Sequence, residues 1–305
     1  MEIYYQGVNI TDKVQCRKCI VRDTAGKRCD SLEIEFENAA GWYRWGPEED
    51  DQIVIKHGSY DSGVMFVNKV IPEDGKYRIF ATSLPCNARA KRNQSFIKKS
   101  IEEIMRTCAM ISGMSFSVYG IDGKTIIPYV EQEKEGCAAF LSRLLMLEGA
   151  VLKCVNGKYT AIGIDYAQNR AALRSAELTA DKAGVLYRRD GETFYKIIVK
   201  TPYASATATD WAVPSSHEQV LVNDLPALNN IQAGRWARGI LTHLNRQCET
   251  VILQTDFSAM FTAMARMDIH GNTDASGKWL IEDVEHDLIN LKSKVTMHRC
   301  IESVS

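Results

Sequence analysis

The chain has 305 residues, 45% of them hydrophobic and 25% charged, with a formal net charge of −1. That length suggests two or three domains, and so even a charge balance gives the molecule no strong pull toward nucleic acid or an anionic membrane. No run approaches the roughly 18 apolar residues of a bilayer-spanning helix, and the start, MEIYYQGVNITDK, lacks the basic and apolar stretches of a secretion signal. Synthesis and folding in a cytoplasm are therefore expected. Nine cysteines, at 16, 19, 29, 86, 108, 137, 154, 248 and 300, are an odd number in a chain too long to need stapling, and they read as free thiols.

Residues 1–85 read as strands without a helix. In SLEIEFE, Leu32, Ile34 and Phe36 alternate with Glu33, Glu35 and Glu37, giving one buried and one wet face. QIVIKHG and GVMFVNKV follow, and Asp74-Gly75 turns the chain into YRIFATSL. Five or six such strands suggest a small antiparallel barrel or sandwich.

At Pro85 the character changes, and residues 86–166 read as an α/β domain. NARAKRNQSFIKKSIEEIMRTCAMISGM opens with basic residues and then places Ile97, Ile101, Ile104, Met105, Cys108 and Ile111 at helical spacing, predicting a helix over about 95–112. Asn93 or Ser95 would cap its start and Gly113 its end. From Tyr129 to Asp165, Cys137, Phe140, Leu141, Leu144 and Leu145 mark one face of a helix over about 137–148, with Gly149 at the left-handed cap position. A hairpin over 150–164 turns at Asn156-Gly157, a pair suited to positive φ at both central positions.

Residues 167–305 return to strands. VLYRRDGETFYKIIVKTPY reads as a hairpin turning at Asp190-Gly191, and a helix-containing insertion over about 207–249 includes a helix from Ala237 to Leu244. ETVILQT, MARMDIHG, WLIEDVEHDL and KVTMHRCI then supply further strands. The fold class is thus α+β, predominantly β.

Candidate chemistry is thin. Cys16-x-x-Cys19, with Cys29 nearby and His57 as a fourth ligand, could be imagined around zinc. In a strand, however, residues three apart face opposite sides. His270, His286 and His298 lie among Asp268, Glu282, Asp283, Glu285 and Asp287, but these are ordinary positions of alternating strands. No Walker loop, dinucleotide fingerprint or G-x-S-x-G elbow is present. Catalytic, cofactor and metal residues are accordingly expected to be none. Arg89, Lys91, Arg92, Lys98, Lys99 and Arg106 form one basic cluster, readable as a phosphate grip, a protein contact, or a solvated face with Glu102 pairing Arg106. GWYRWGPEEDD, residues 41–51, is either an aromatic interface or a plug over a barrel end. The candidate interface residues are Trp42, Tyr43, Trp45, Arg89, Lys91 and Arg92.

In order and pattern these segments resemble the baseplate hub family of contractile phage tails and related particles, the late control protein D-like group that includes the hub part of type VI secretion spikes. The likeness rests on WGPEEDDQIVIKHG followed by GVMFVNKVIPEDGKY, on NQSFIKKSIEEIMRTCAMISGM, on the Tyr129 to Asp165 unit, and on SGKWLIEDVEHDLINLKSKVTMHRC, and is weakest over 167–245. It implies two tail-tube-like barrels flanking the α/β domain, and a homotrimer whose six barrels match a hexameric tube. The partners it implies are the central spike, the tail tube or its initiator, baseplate wedge proteins and a tape measure protein, with DNA only as a passenger through the channel. Assembly would take place in the bacterial host cytoplasm, and the product would reside in a virion or tail-like particle baseplate. The rival readings are a tail-associated wall hydrolase or protease, and a nucleic-acid binder through the basic helix.

Overall fold

A computed structural model of the chain describes residues 1–26, 28–37, 46–73, 75–177, 184–189, 192–271, 274–302 and 304–305. The amino-terminal region supplies β1 (Glu2–Tyr5), β2 (Val8–Asn9), β3 (Gln15–Thr24), β4 (Ser31–Glu37), β5 (Gln52–His57), β6 (Tyr60–Asp61), β7 (Met65–Glu73) and β8 (Lys76–Thr82). The central block holds α1 (Cys86–Arg89), β9 (Arg92–Ser100), α2 (Ile101–Ser112), β10 (Ser115–Tyr119), β11 (Ile126–Glu135), α3 (Cys137–Leu147), β12 (Ala150–Val155), β13 (Lys158–Gly163) and α4 (Ile164–Gln168). The remainder holds β14 (Arg174–Glu177), β15 (Val185–Arg189), β16 (Phe194–Lys200), β17 (Ser205–Thr209), β18 (Glu218–Val222), α5 (Asn230–Arg246), β19 (Glu249–Asp256), β20 (Arg266–His270), β21 (Gly277–Asp287) and β22 (Lys292–Arg299).

Strand dominates, as the alternation of the sequence predicts. The two β-rich regions, however, are not separate sheets. β21 pairs antiparallel with β3, Asp283 opposite Thr24 and Asp287 opposite Ile20, so that one 14-stranded sheet runs β15-β19-β22-β21-β3-β4-β8-β7-β5-β1-β2. Its path is open at both ends, and no closed barrel forms among the described residues. The cause is the strand pattern itself. β21 alternates over eleven residues, long enough to pair with β22 along most of its length and with β3 at its far end.

In β4, Leu32, Ile34 and Phe36 enter the amino-terminal core with Ile53, Ile55 and Ile79. Glu33, Glu35 and Glu37 pair with Lys18, with Lys76 and Arg78, and with Arg17 on neighbouring strands. Cross-strand pairs of this kind each contribute a few tenths to about 1 kcal/mol. A second core around Trp279, Ile281, Val284, Val295 and Met297 serves the carboxyl-terminal half of the sheet.

The central block has its own core, in which Phe140, Leu141, Leu144 and Leu145 of α3 meet Ile104, Met105 and Cys108 of α2. Burying each large side chain contributes roughly 1.5–3 kcal/mol. α3 stops where Gly149 takes φ 70°, and the hairpin β12–β13 turns with Asn156 at φ 48° and Gly157 at φ 67°, the two positive values a type I′ turn needs. That turn docks on the amino-terminal region: the Val64 amide donates to the Asn156 side-chain oxygen (3.3 Å), and a Cβ added at Gly63 would lie 3.0 Å from that of Asn156.

Three expectations change. The helix predicted from about residue 95 begins at Ile101, because Ser100 and Glu103 close a reciprocal capping box while residues 92–100 pair as β9 with β11. Asn93 instead accepts a bond from the Lys134 amide, and Ser95 sits opposite Glu131; Gly113 does end the helix, at φ 67°. The expected hairpin around Asp190-Gly191 turns at residues outside those described, and its arms do not pair: β15 joins β19, while β16 joins β17 and β18. Ile197 and Val199 of β16 are drawn into a separate core with Trp236, Ala237 and Leu241 of α5, so the small sheet-and-helix unit starts at Phe194. α5 itself runs seventeen residues from Asn230, capped by Asn229, beyond the predicted Ala237 to Leu244. The Asp74-Gly75 turn falls partly outside the described residues; Gly75 has φ 68° and the flanking β7 and β8 pair. No helix among the described residues is long and apolar enough to cross a membrane.

Candidate assembly interfaces

Trp42, Tyr43 and Trp45 lie outside the described residues. The acids that follow them serve internal contacts. Asp50, at φ 70°, accepts the Cys86 amide at 2.7 Å, Glu49 pairs with Arg89 at 3.0 Å, and Asp51 accepts from the Glu48 amide and from the side chains of Tyr5 and Gln6. The loop is thereby tied to α1 on one side and β1 on the other. Burial, with the Asp51 carboxylate beside it, pushes the Tyr5 phenol up.

The basic cluster splits in two. Arg89 is held by Glu49 and Asp50, Lys99 by Glu103, and Arg106 lies over the Phe116 ring at 5.7 Å. The i,i+4 pair is therefore Lys99 with Glu103 in place of the expected Glu102 with Arg106. Lys91 and Lys98 are exposed and pair with no carboxylate among the described residues, while the Arg92 charge faces Cys137.

Cys16 and Cys19 do not face opposite sides. A register shift between Cys16 and Lys18 resets the alternation of β3, so both thiols lie against the amino-terminal core. Burial pushes Cys16 up to about 12 and Cys19 up as well, which makes them poor thiolates and so poor ligands. His57 lies edge-on to Phe257, and no group of three or more His, Cys, Asp or Glu side chains is placed to hold a metal among the described residues. The carboxyl-terminal histidines are likewise dispersed: His286 is buried against Tyr60 and Phe257 with Ser293 2.9 Å away, His298 faces Glu282, and His270 is exposed. Burial lowers both His286 and His298.

Two seams fasten the central block, and neither has a sequence motif. At the first, Lys153 of β12 reaches across to the carboxylates of Asp23 and Asp30, the second at 3.5 Å. Asp23 also accepts from Thr262 (2.7 Å) and from the Ala263 amide (3.1 Å), so one cluster joins all three regions of the chain. Ala25, Val151, Ile164, Met264 and Leu280 pack together as the apolar core of that junction. Burial, only partly countered by Lys153, pushes Asp30 up to about 7; on Lys153 the two carboxylates outweigh burial and raise it, so the ammonium persists.

At the second seam, Glu148 just past α3 accepts from the Arg235 guanidinium and the Trp236 indole, each at 2.8 Å. Gly239 of α5 lies directly on that helix end, where an added Cβ would meet the Met146 carbonyl oxygen at 2.7 Å and the Gly149 nitrogen at 2.8 Å. Buried Arg246, at the other end of α5, pairs with Glu282 of β21 and anchors the unit to the main sheet. The one sequence signal for the first seam is Lys153, a charge in the otherwise apolar AVLKCV; for the second it is the two glycines, Gly234 and Gly239, within a helix.

Neither a family model nor a curated protein matches the sequence. Solved structures do match its fold. The 43 kDa tail protein of prophage MuSo2 from Shewanella oneidensis is 10% identical, with a TM-score of 0.75 over 99% of both chains. A tail protein from Neisseria meningitidis MC58 is 7% identical, with a TM-score of 0.76 over 98% of this chain and 95% of that one. An E. coli component of the type VI secretion system, itself similar in structure to the T4 bacteriophage tail proteins gp27 and gp5, is 13% identical, with a TM-score of 0.62 over 99% of this chain and 77% of that one. At such identities the likeness establishes the fold, and the chain has the fold of phage tail and type VI secretion spike-related proteins, in agreement with the baseplate-hub resemblance read from its sequence.

Proposed function

We propose that the chain is a structural, non-enzymatic hub of a contractile tail or tail-like injection particle, a homotrimer that seats a hexameric tube on one side and a trimeric spike on the other. The observation that carries this reading is the whole-length match in fold to two tail proteins, which supports a structural role in a tail. In this reading the two halves of the continuous sheet act as two tube-like barrels completed within the assembly. The open ends of the sheet at β15 and β2 favour such completion, since an unpaired edge is a liability for a lone chain. Closed cyclic symmetry would bury those surfaces once per copy. The β-rich regions 1–85 and 167–305 flank the α/β block 86–166 as the working parts, and wedge and tape measure proteins are further partners in this account.

The test is genetic and morphological. Particles made without this chain should show no tube extending from a baseplate, by electron microscopy, and supplying the chain should restore them. Complete tails formed without it would refute a hub role. A cleared zone on cell-wall material, lost on substitution of a single carboxylate, would move the chain to the hydrolase class.

A further inference from the structure

We propose that the outer edge of β9 is a docking site for an extended, acidic segment of another protein, which joins the β9–β11 ribbon as a third strand. The ribbon is two-stranded. Its inner face is buried through Phe96, Ile127 and Val130, with Phe96 stacked on Phe140 at 5.4 Å. Its two edges differ. On β11, Arg143 of α3 covers the outer side, donating to the Glu131 carbonyl at 2.7 Å and pairing with Glu135 at 2.6 Å. On β9, the backbone from Asn93 to Lys99 makes no hydrogen bond beyond the ladder with β11 among the described residues. A row of unpaired amides and carbonyls of this kind is a template for an added strand.

The chemistry of the occupant follows from what borders the edge. Ile97 is 64% exposed and follows Asn93 and Ser95 on the same exposed face, giving an apolar contact flanked by small polar ones. Lys91 and Lys98 stand at its two ends without carboxylate partners among the described residues, seven residues apart and so about 23 Å at the rise of a strand. Arg89 and Lys99, the neighbouring cations, are already neutralised by Glu49, Asp50 and Glu103. Two cations that far apart, with a backbone edge between them, suit a strand with carboxylates near its ends. A phosphate backbone would need a denser row. Lys98 takes φ 50°, an irregularity between the paired Ile97 and Lys99, so the regular part of the edge is about six residues long. The proposal concerns this edge alone and stands apart from the hub reading.

The experiment uses the full chain and a fluorescent ten-residue peptide of alternating threonine and valine with glutamate near each end, against a lysine-ended counterpart. The glutamate peptide should bind at least tenfold more tightly, and binding should slow amide exchange over 92–98. Lys91→Glu with Lys98→Glu should abolish that preference while thermal unfolding stays unchanged, and the milder Lys→Ala pair should weaken it by several-fold. The proposal is overturned by absent binding, by equal binding of both peptides, or by protection elsewhere. It also falls if a single-stranded oligonucleotide binds more tightly than the peptide, or if the paired charge reversals change the native mass of the chain, which would assign the edge to a second copy.

Discussion

The two seams of the central block solve one problem by opposite means. At Lys153 the joint is ionic: one ammonium is buried with two carboxylates, and three regions converge on it. At Gly239 the joint is steric: a helix lies on the end of another because a side chain is missing. Desolvating charge is expensive, so the ionic joint holds only while its partners are complete. The close approach at Gly239 depends on shape and does not itself titrate, although the Glu148 contacts with Arg235 and Trp236 and the Arg246–Glu282 pair flank it. The difference suggests that the first seam sets which regions come together, and the second how closely.

Breaking the ionic seam should have the largest effect. Lys153→Ala leaves Asp23 and Asp30 buried without their cation, and should lower unfolding free energy by about 3–5 kcal/mol in denaturant titrations at neutral pH. A loss below about 1 kcal/mol would mean that the junction is wetter than its burial indicates. Gly239→Ala should cost about 1–3 kcal/mol through crowding against Met146 and Leu147, even though alanine favours helix. Because α5 has its own core with β16 and β17, the loss should show as earlier unfolding of that unit in hydrogen exchange, with the main sheet unaffected.

The pH response separates the seams further. Asp30 has a folded pKa near 7, above its unfolded value, so the folded chain binds a proton that the unfolded chain releases. Its contribution to stability is therefore present at low pH and lost as pH rises through about 7. His286 and His298, lowered by burial, act in the reverse sense as pH falls below their ordinary value near 6.5. Asp30→Asn should accordingly remove a fall in stability between about pH 4 and 7, on the order of a few kcal/mol, and leave the opposing contribution of the histidines in place. Unchanged pH profiles in the two proteins would show that Asp30 does not titrate there. Gly239→Ala should shift the whole profile downward without changing its shape. The smallest effect belongs to a local change remote from both seams: Ser100→Ala removes one half of the capping box of α2 and should cost about 1 kcal/mol at neutral pH.

The same contrast explains what could be read from the chain. α3, its Gly149 stop and the Asn156-Gly157 turn were legible because each is specified by residues within a few positions of one another. The start of α2 was also written locally, in Ser100 and Glu103, but the apolar period continuing back through Ile97 obscured it. β15 and β16 look like a hairpin because both are strand-like and a turn pair sits between them; what separates them is a remote competition, β19 for one and α5 for the other. The joining of β3 to β21 spans most of the chain and leaves no local trace. The ionic seam was hidden for the same reason, since Asp23, Asp30, Lys153 and Thr262 share no spacing. Of the interface candidates, Arg89 proved to be engaged internally while Lys91 pairs with no carboxylate among the described residues, a distinction that depends on Glu49 and Asp50 folding back.

The central claim is that three copies of this chain form a ring beneath a tube and above a spike. Its most direct test is the native mass of the purified chain, alone and with the spike protein of its own particle, by light scattering. The account predicts a mass near three times 34.2 kDa, at the latest once the spike is added. A stable monomer that ignores the spike at every concentration would contradict it.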